Sequence, residues 1–179
     1  MNKQTMGIMT SSANEHWCTP RTILDPIQNH LGPIELDPCS NKLSIVGAAI
    51  DFYGPAVPSP DGLCHDGLLE SWQCKGLVYV NPPYGRKIKP WIAKCKSEGA
   101  ISRTLRNNTE IVLLGPARTD TVYFQDILLP SADSVILLKG RLTFVGAPAP
   151  AVFPSFIAYW GYRPTKFKVA FVGKGWPIT

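Results

Sequence analysis

Long apolar runs are missing from this 179-residue chain, and no segment approaches the ~18 residues needed to span a bilayer. The N-terminus carries Lys3 but no apolar stretch behind it, so it does not read as a secretory leader. Paired cysteines are missing as well. The five present, at 18, 39, 64, 74 and 95, form no C-x-x-C motif, and their odd number and irregular spacing suit a reducing compartment rather than a disulfide framework. Histidine is scarce, and His16, Cys18, Cys64 and His65 match no familiar ligand spacing, so no metal site is expected. Internal repeats are also lacking. With 45% hydrophobic, 17% charged and 10% aromatic residues, the composition is that of an ordinary globular chain. A core of this size buries roughly 70% of the unfolded surface without staples. The expectation is a soluble, cytoplasmic protein without a membrane partner: residues 1–15 form a polar, aperiodic arm, and 16–179 form one domain.

Negative charge is scarce in the second half. Residues 1–70 hold three Lys/Arg against eight acids, whereas 71–179 hold fifteen against five. Seven cations (Arg86, Lys87, Lys89, Lys94, Lys96, Arg103, Arg106) fall within 21 residues, with Glu98 the sole acid among them. Such a field attracts polyanions, nucleic acid first, although a solvated helix face carries the same pattern.

The periodicity alternates helix and strand. Thr19 and Pro20 are placed as N-cap and first position of a short helix that buries Ile23, Leu24, Ile27 and Leu31 and stops at Gly32. Short strands are predicted at 34–36, 77–80, 111–114 and 135–138. Helices are predicted at 87–102, with Ile88, Trp91, Ile92, Cys95 and Ile101 inward, and at 121–129. Residues 156–160 and 167–172 read as an antiparallel strand pair about a Gly-Tyr-Arg-Pro turn. The stretch 54–67, rich in Gly and Pro, reads as a loop. Trp72, Trp91 and Trp160 are assigned to the core. The fold class is α/β: a mostly parallel sheet with a C-terminal antiparallel pair and helices on both faces, binding ligands outside the carboxyl ends of its strands.

The most specific chemistry lies at the end of the strand 77–80. Two prolines in Asn81-Pro82-Pro83-Tyr84 forbid continuing the ladder and fix a turn there. Asn81 offers an amide oxygen, Pro82 a carbonyl without a competing N–H, and Tyr84 an aromatic face. Two acceptors beside a stacking plane match the exocyclic amino group of a planar base.

This tetrapeptide resembles the catalytic motif of S-adenosylmethionine-dependent methyltransferases that modify planar amino or amide nitrogens. Trp17-x-Thr-Pro20, Leu36-Asp-Pro38, Asp66-Gly-Leu68 with Trp72 behind it, Asn81-Pro-Pro-Tyr-Gly85, Trp91-x-x-Lys94, Leu114-x-Pro-Ala-Arg-Thr-Asp-Thr121, Lys139-Gly-Arg-Leu-x-Phe144 and Pro154-Ser155 follow in an order similar to the short phage-type DNA N6-adenine methyltransferases. The resemblance implies a Rossmann-like class I methyltransferase sheet, S-adenosylmethionine as cofactor and double-stranded DNA as partner. It implies no metal, and it leaves the oligomeric state open.

The same resemblance implies roles. Asp37, with Pro38, Cys39 and Ser40 beside it, would face the cofactor's methionine part, and Trp17, Thr19 and Pro20 would border its tail. Asp66 would accept from the adenine amino group; Asp61-Gly62-Leu63 repeats that triplet, but Trp72 stands at the expected distance after Asp66. Asp51 and Tyr53 are the ribose candidates. Asn81, Pro82, Pro83 and Tyr84 would hold a flipped base, with Asn81 also adjoining the cofactor. Arg86, Lys87, Lys89, Arg118 and Arg141 would contact phosphates, Arg118 having the alternative of an ion pair with Asp120 or Asp126. Asn41 stands where many methyltransferases place a glycine after the acid. The readings left open are therefore adenine N6 transfer in DNA; the same chemistry on cytosine N4, RNA or protein glutamine; and a binding module without turnover.

Overall fold

A computed structural model describes residues 18–179, so Trp17 lies outside the described residues. Helix α1 (Arg21–Leu31) buries Ile23, Leu24, Ile27 and Leu31, as their spacing dictates. Gly32 ends it at φ 102°, and its N–H returns to the Gln28 carbonyl at 3.0 Å. Pro26 lies inside the helix and cannot donate to the Thr22 carbonyl four residues earlier. Lys174 Nζ reaches that carbonyl at 3.5 Å instead. Thr19 is not the cap: Pro20 occupies that position, and the Thr19 hydroxyl is buried against the Tyr79 hydroxyl at 2.7 Å.

Strands β1 (Ile34–Asp37), β2 (Ile50–Asp51), β3 (Leu77–Val80), β4 (Glu110–Pro116), β5 (Ser134–Leu138), β6 (Ser155–Trp160) and β7 (Gly175–Pro177) form one sheet in the order β2-β1-β3-β4-β6-β5-β7. The first four are mutually parallel. β6 runs antiparallel to β4 and β5, and β7 antiparallel to β5. Alternate residues of the central strands enter different cores. Leu77, Tyr79, Val112, Leu114, Ile157 and Tyr159 pack with α1 on one face. Val78, Val80, Ile111, Leu113, Phe156 and Ala158 pack on the other face with α2 (Ile88–Leu105). Burial on both faces explains why these strands read as continuous apolar runs.

The chain steps from β1 outward to β2, then returns to lay β3 on the other side of β1. The strand order therefore reverses between β1 and β3, which opens the crevice in which such sheets bind ligands.

Three local expectations are corrected. Residues Pro164–Ala170 are a helix, α4, following the short α3 (Leu129–Ser131) and its preceding π-helical turn Tyr123–Leu128. Pro164 supplies the first helical position, and Phe167, Ala170 and Phe171 recur at helical spacing against the α1 face of the sheet. β6 finds its partners in β4 and β5 instead. Ile101 faces outward, because α2 turns Glu98, Gly99 and Ser102 inward. Buried Glu98 is satisfied by Lys94 Nζ at 2.7 Å and Gln73 Nε2 at 2.5 Å.

The 54–67 loop is held by its own bonds. Gly54 and His65 bridge its ends, Ser59 Oγ accepts from Tyr53 N at 3.0 Å, and His65 stacks on Phe52 with centroids 4.5 Å apart.

Candidate active site

The carboxyl tips of β1 and β3 bring the predicted residues together. β1 ends in Asp37, which is 3% exposed and lies in register beside Asp51 at the end of β2. Its Oδ1 accepts from Cys39 N at 3.1 Å. Burial pushes the Asp37 carboxyl up to about 7, outweighing that hydrogen bond, and the charge of Asp51 adds to the rise. Cys39 lies between the two strand tips, and burial together with Asp37 pushes its thiol well up, which disfavours the thiolate.

Orphaned polar groups gather along the same edge. Among the described residues, the buried side-chain atoms that complete no hydrogen bond are Ser40 Oγ, Asp51 Oδ1 and Ser155 Oγ. Ser40 follows β1, Asp51 closes β2, and Ser155 opens β6 opposite Pro116 at the end of β4. Buried groups of this kind are rare in finished interiors and mark places where a ligand or water completes the set.

β3 ends at Val80, and Asn81-Pro82-Pro83-Tyr84 turns the chain toward α2 through the 3-10 segment Gly85–Lys87. The Tyr84 hydroxyl donates to Asn81 Oδ1 at 2.9 Å. That amide oxygen can accept two hydrogen bonds, and Tyr84 thus holds the orientation of the side chain through one of them. The Tyr84 ring meets Phe153 and Phe144 in edge contacts, at centroid distances of 5.4 and 6.2 Å, which fix its plane. Burial raises its phenol well above the usual range, so it remains a neutral donor. The sequence reading did not single out Phe153. Phe144 was carried inside the Lys139-to-Phe144 motif without a role, and only the fold shows that its ring meets Tyr84.

Asp66 and Asp61 separate clearly. Asp61 is exposed and engaged within its own loop, with Leu63 N at 2.9 Å and His65 Nε2 at 2.7 Å. Asp66 accepts from Leu68 N at 2.9 Å at the start of a turn. The next residue, Gly67, is pressed against Pro38, and the position of a Cβ there is filled by the Pro38 carbonyl. Trp72 Nε1 donates to the Gly67 carbonyl at 2.8 Å, which accounts for the spacing between Asp66-Gly-Leu and the tryptophan. The Asp66 turn is thereby seated on the loop that follows Asp37. The structure shows here a tight backbone approach made by Gly67, while Asn41 closes its own turn onto Leu43 N at 2.9 Å.

The Cys18–Pro20 segment docks at the same crevice. Cys18 Sγ contacts the Leu43 carbonyl at 3.2 Å, Cys18 bridges Val145, and Thr19 bonds Tyr79 of β3. Trp72, Trp91 and Trp160 are core residues, as read from the sequence.

The cations divide by position. Exposed Arg86, Lys87 and Lys89 follow the Asn81–Tyr84 turn directly, Arg118 follows β4, and Arg141 follows β5, all on the carboxyl side of the sheet. Among the described residues no ion pair joins Arg118 to Asp120 or Asp126. Arg103 pairs with Asp133, and Arg106 lies at the far end of α2. A cavity of about 400 Å³ at the opposite edge of the sheet is lined by Glu35, Lys75, Glu110 and Arg163. Glu110 and Arg163 are bonded to each other there, so that cavity does not compete with the carboxyl edge as a reactive site.

Fold and site together define an α/β protein with helices on both faces, a topological switch beside a buried acid, and a Pro-Pro turn carrying the Asn81 amide on the adjacent strand. A family model described as DNA N-6-adenine-methyltransferase (Dam) matches residues 8–151, and the chain belongs to that family. DNA adenine methylation is the activity this membership carries. A comparison with curated proteins finds no match.

Proposed function

We propose that the chain transfers a methyl group from S-adenosylmethionine to the N6 amino group of adenine in double-stranded DNA. The observation that carries the reading is the juxtaposition of the Asn81–Tyr84 turn with the buried Asp37 carboxylate and its half-buried neighbour Asp51 at the strand-order reversal. When bound, the cofactor supplies an already activated sulfonium methyl. The residues present fit such a molecule: its ammonium matches the Asp37 carboxylate, its ribose hydroxyls match the unsatisfied Asp51 Oδ1, and its adenine amino group matches Asp66. Thr19, Pro20, Pro38 and Cys39 border that space.

On the target side, Asn81 Oδ1 and the Pro82 carbonyl accept the two amino hydrogens. That geometry favours a tetrahedral nitrogen whose lone pair points at the methyl group. The contribution is orientational and electrostatic, and no covalent enzyme intermediate is needed. The Tyr84 ring serves as the platform for a base flipped out of the duplex, Pro83 keeps the turn rigid, and Arg86, Lys87, Lys89, Arg118 and Arg141 neutralise phosphates. The test is incubation with labelled S-adenosylmethionine and unmethylated duplex DNA, followed by nucleoside digestion and mass analysis, with Asn81→Ala in parallel. N6-methyladenine formed by the wild type and lost in the variant is the expected result. N4-methylcytosine would change the base, and cofactor binding without any transfer to DNA would overturn the substrate.

A further inference from the structure

The segment Val145–Phe153 (VGAPAPAVF) joins β5 to β6 and contains no charged or hydrogen-bonding side chain. It is nevertheless well tied down. Val145 N donates to the Cys18 carbonyl at 2.9 Å, Ala147 N to Phe144 at 3.1 Å, and Ala151 N closes the base on Leu142 at 2.8 Å. Pro148 and Pro150 fix two further φ angles. Phe144 at one foot of this arch and Phe153 at the other both meet the Tyr84 ring. One residue inside each foot stands an exposed valine: Val145 is 45% exposed and Val152 58%.

Along the chain, the charges nearest the arch are of one sign. No carboxylate side chain follows Asp133 in the sequence, and Lys139 and Arg141 immediately precede the arch. An uncharged, apolar projection tied down at its base and preceded by two cations suits a polyanion that also offers an apolar interior. The stack of bases in a duplex is such an interior, and withdrawing a base from it leaves a gap that apolar side chains fill.

Resting on the methyl-transfer reading above, we propose that Val145 and Val152 form an apolar wedge that enters the duplex beside the target nucleotide and fills the space vacated by the flipped base. The arch reads no base edge by side-chain hydrogen bonding, because it carries no such donor or acceptor. Its placement couples entry of the wedge to the ring that receives the base, since both feet grip Tyr84.

The experiment compares kcat/KM on a duplex and on the single-stranded form of the same oligonucleotide, using wild type, Val145→Ala/Val152→Ala and Val152→Leu. Fluorescence of 2-aminopurine at the target position reports flipping. The double alanine variant is expected to lose about tenfold or more on duplex DNA, together with the 2-aminopurine signal, while keeping its single-strand rate and its Tm. Val152→Leu, which keeps an apolar tip, is expected to retain duplex activity. Equal loss on both substrates, or no change in their ratio, overturns the wedge while leaving methyl transfer intact. A wild type inactive on both forms overturns the methyl-transfer reading, and the wedge with it.

Discussion

Two buried carboxylates at opposite edges of one sheet are treated in opposite ways. Glu110, at the amino edge of β4, accepts from the Tyr159 hydroxyl, from Tyr162 N at 3.3 Å and from the Arg163 guanidinium, whose Nε lies at 2.8 Å. That guanidinium also donates to the Leu31 carbonyl at 2.8 Å, so the cluster is closed on itself. Asp37, at the carboxyl edge of β1, has a second acid as neighbour and, among the described residues, no cation in hydrogen-bond contact. All three orphaned buried atoms lie on its side of the sheet. One edge is completed by the protein's own groups. The other is left with negative charge and spare acceptors, the chemistry that the proposed cationic cofactor and amino group call for.

The comparison can be broken most severely at the Asn81–Tyr84 turn. Asn81→Ala should lower kcat for methyl transfer by about a hundredfold or more, because it removes the acceptor proposed for the reacting nitrogen, and should lower Tm by only a few degrees, because it orphans the Tyr84 hydroxyl; single-turnover kinetics and thermal melts check both halves. Arg163→Met leaves Glu110 buried without its cation and should cost about 3 kcal/mol of folding stability in denaturant titrations. Asp37→Asn is the contrasting change. Removing a charge that burial disfavours should leave Tm equal or higher, while cofactor affinity falls about tenfold or more, as read by calorimetry.

pH sharpens the same contrast. The Asp37 carboxyl sits at about 7 in the folded chain against an ordinary 3.8. Cofactor affinity should therefore hold above pH 7 and fall about tenfold per unit below it, as the carboxylate proposed to face the ammonium is protonated. For the cofactor-free protein the sign is opposite: the stability this group contributes is present below pH 3.8 and is lost as pH rises through 7. Calorimetric titrations and melts across pH 5–9 would show the two trends diverging. The smallest effect expected is among the cations. Arg86→Gln or Lys87→Gln should reduce the salt slope of DNA binding by about one each, whereas Arg106→Gln, at the far end of α2, should leave it unchanged.

Much of this was legible along the chain. Leu77-Val78-Tyr79-Val80 before two prolines announces a buried strand and an abrupt turn, and the helical spacing in α1 gives its buried face. Trp72 favoured Asp66 over Asp61, and the bond from its indole to Gly67 is the physical basis for that spacing. Other features were not legible. Phe167, Val169 and Phe171 alternate like a strand, but Phe167, Ala170 and Phe171 also fit a helix, and only packing against the α1 face decides between the two. Thr19 was a plausible cap until Tyr79, sixty residues away, supplied a buried partner. Ile101 was assigned inward by hydrophobicity, whereas Glu98 took the inward position because Lys94 and Gln73 satisfy it there.

The sequence by itself determined the α/β alternation, the asymmetry of charge and the acceptor chemistry of Asn81 to Tyr84, because these depend on residue type and short-range spacing. The tertiary structure alone decided that Asp37 and Asp51 lie side by side, that Gly67 seats the Asp66 turn on Pro38, and that Phe144 and Phe153 close around Tyr84. Those contacts join residues from 14 to 69 positions apart, and nothing short of strand order and close packing can bring them together.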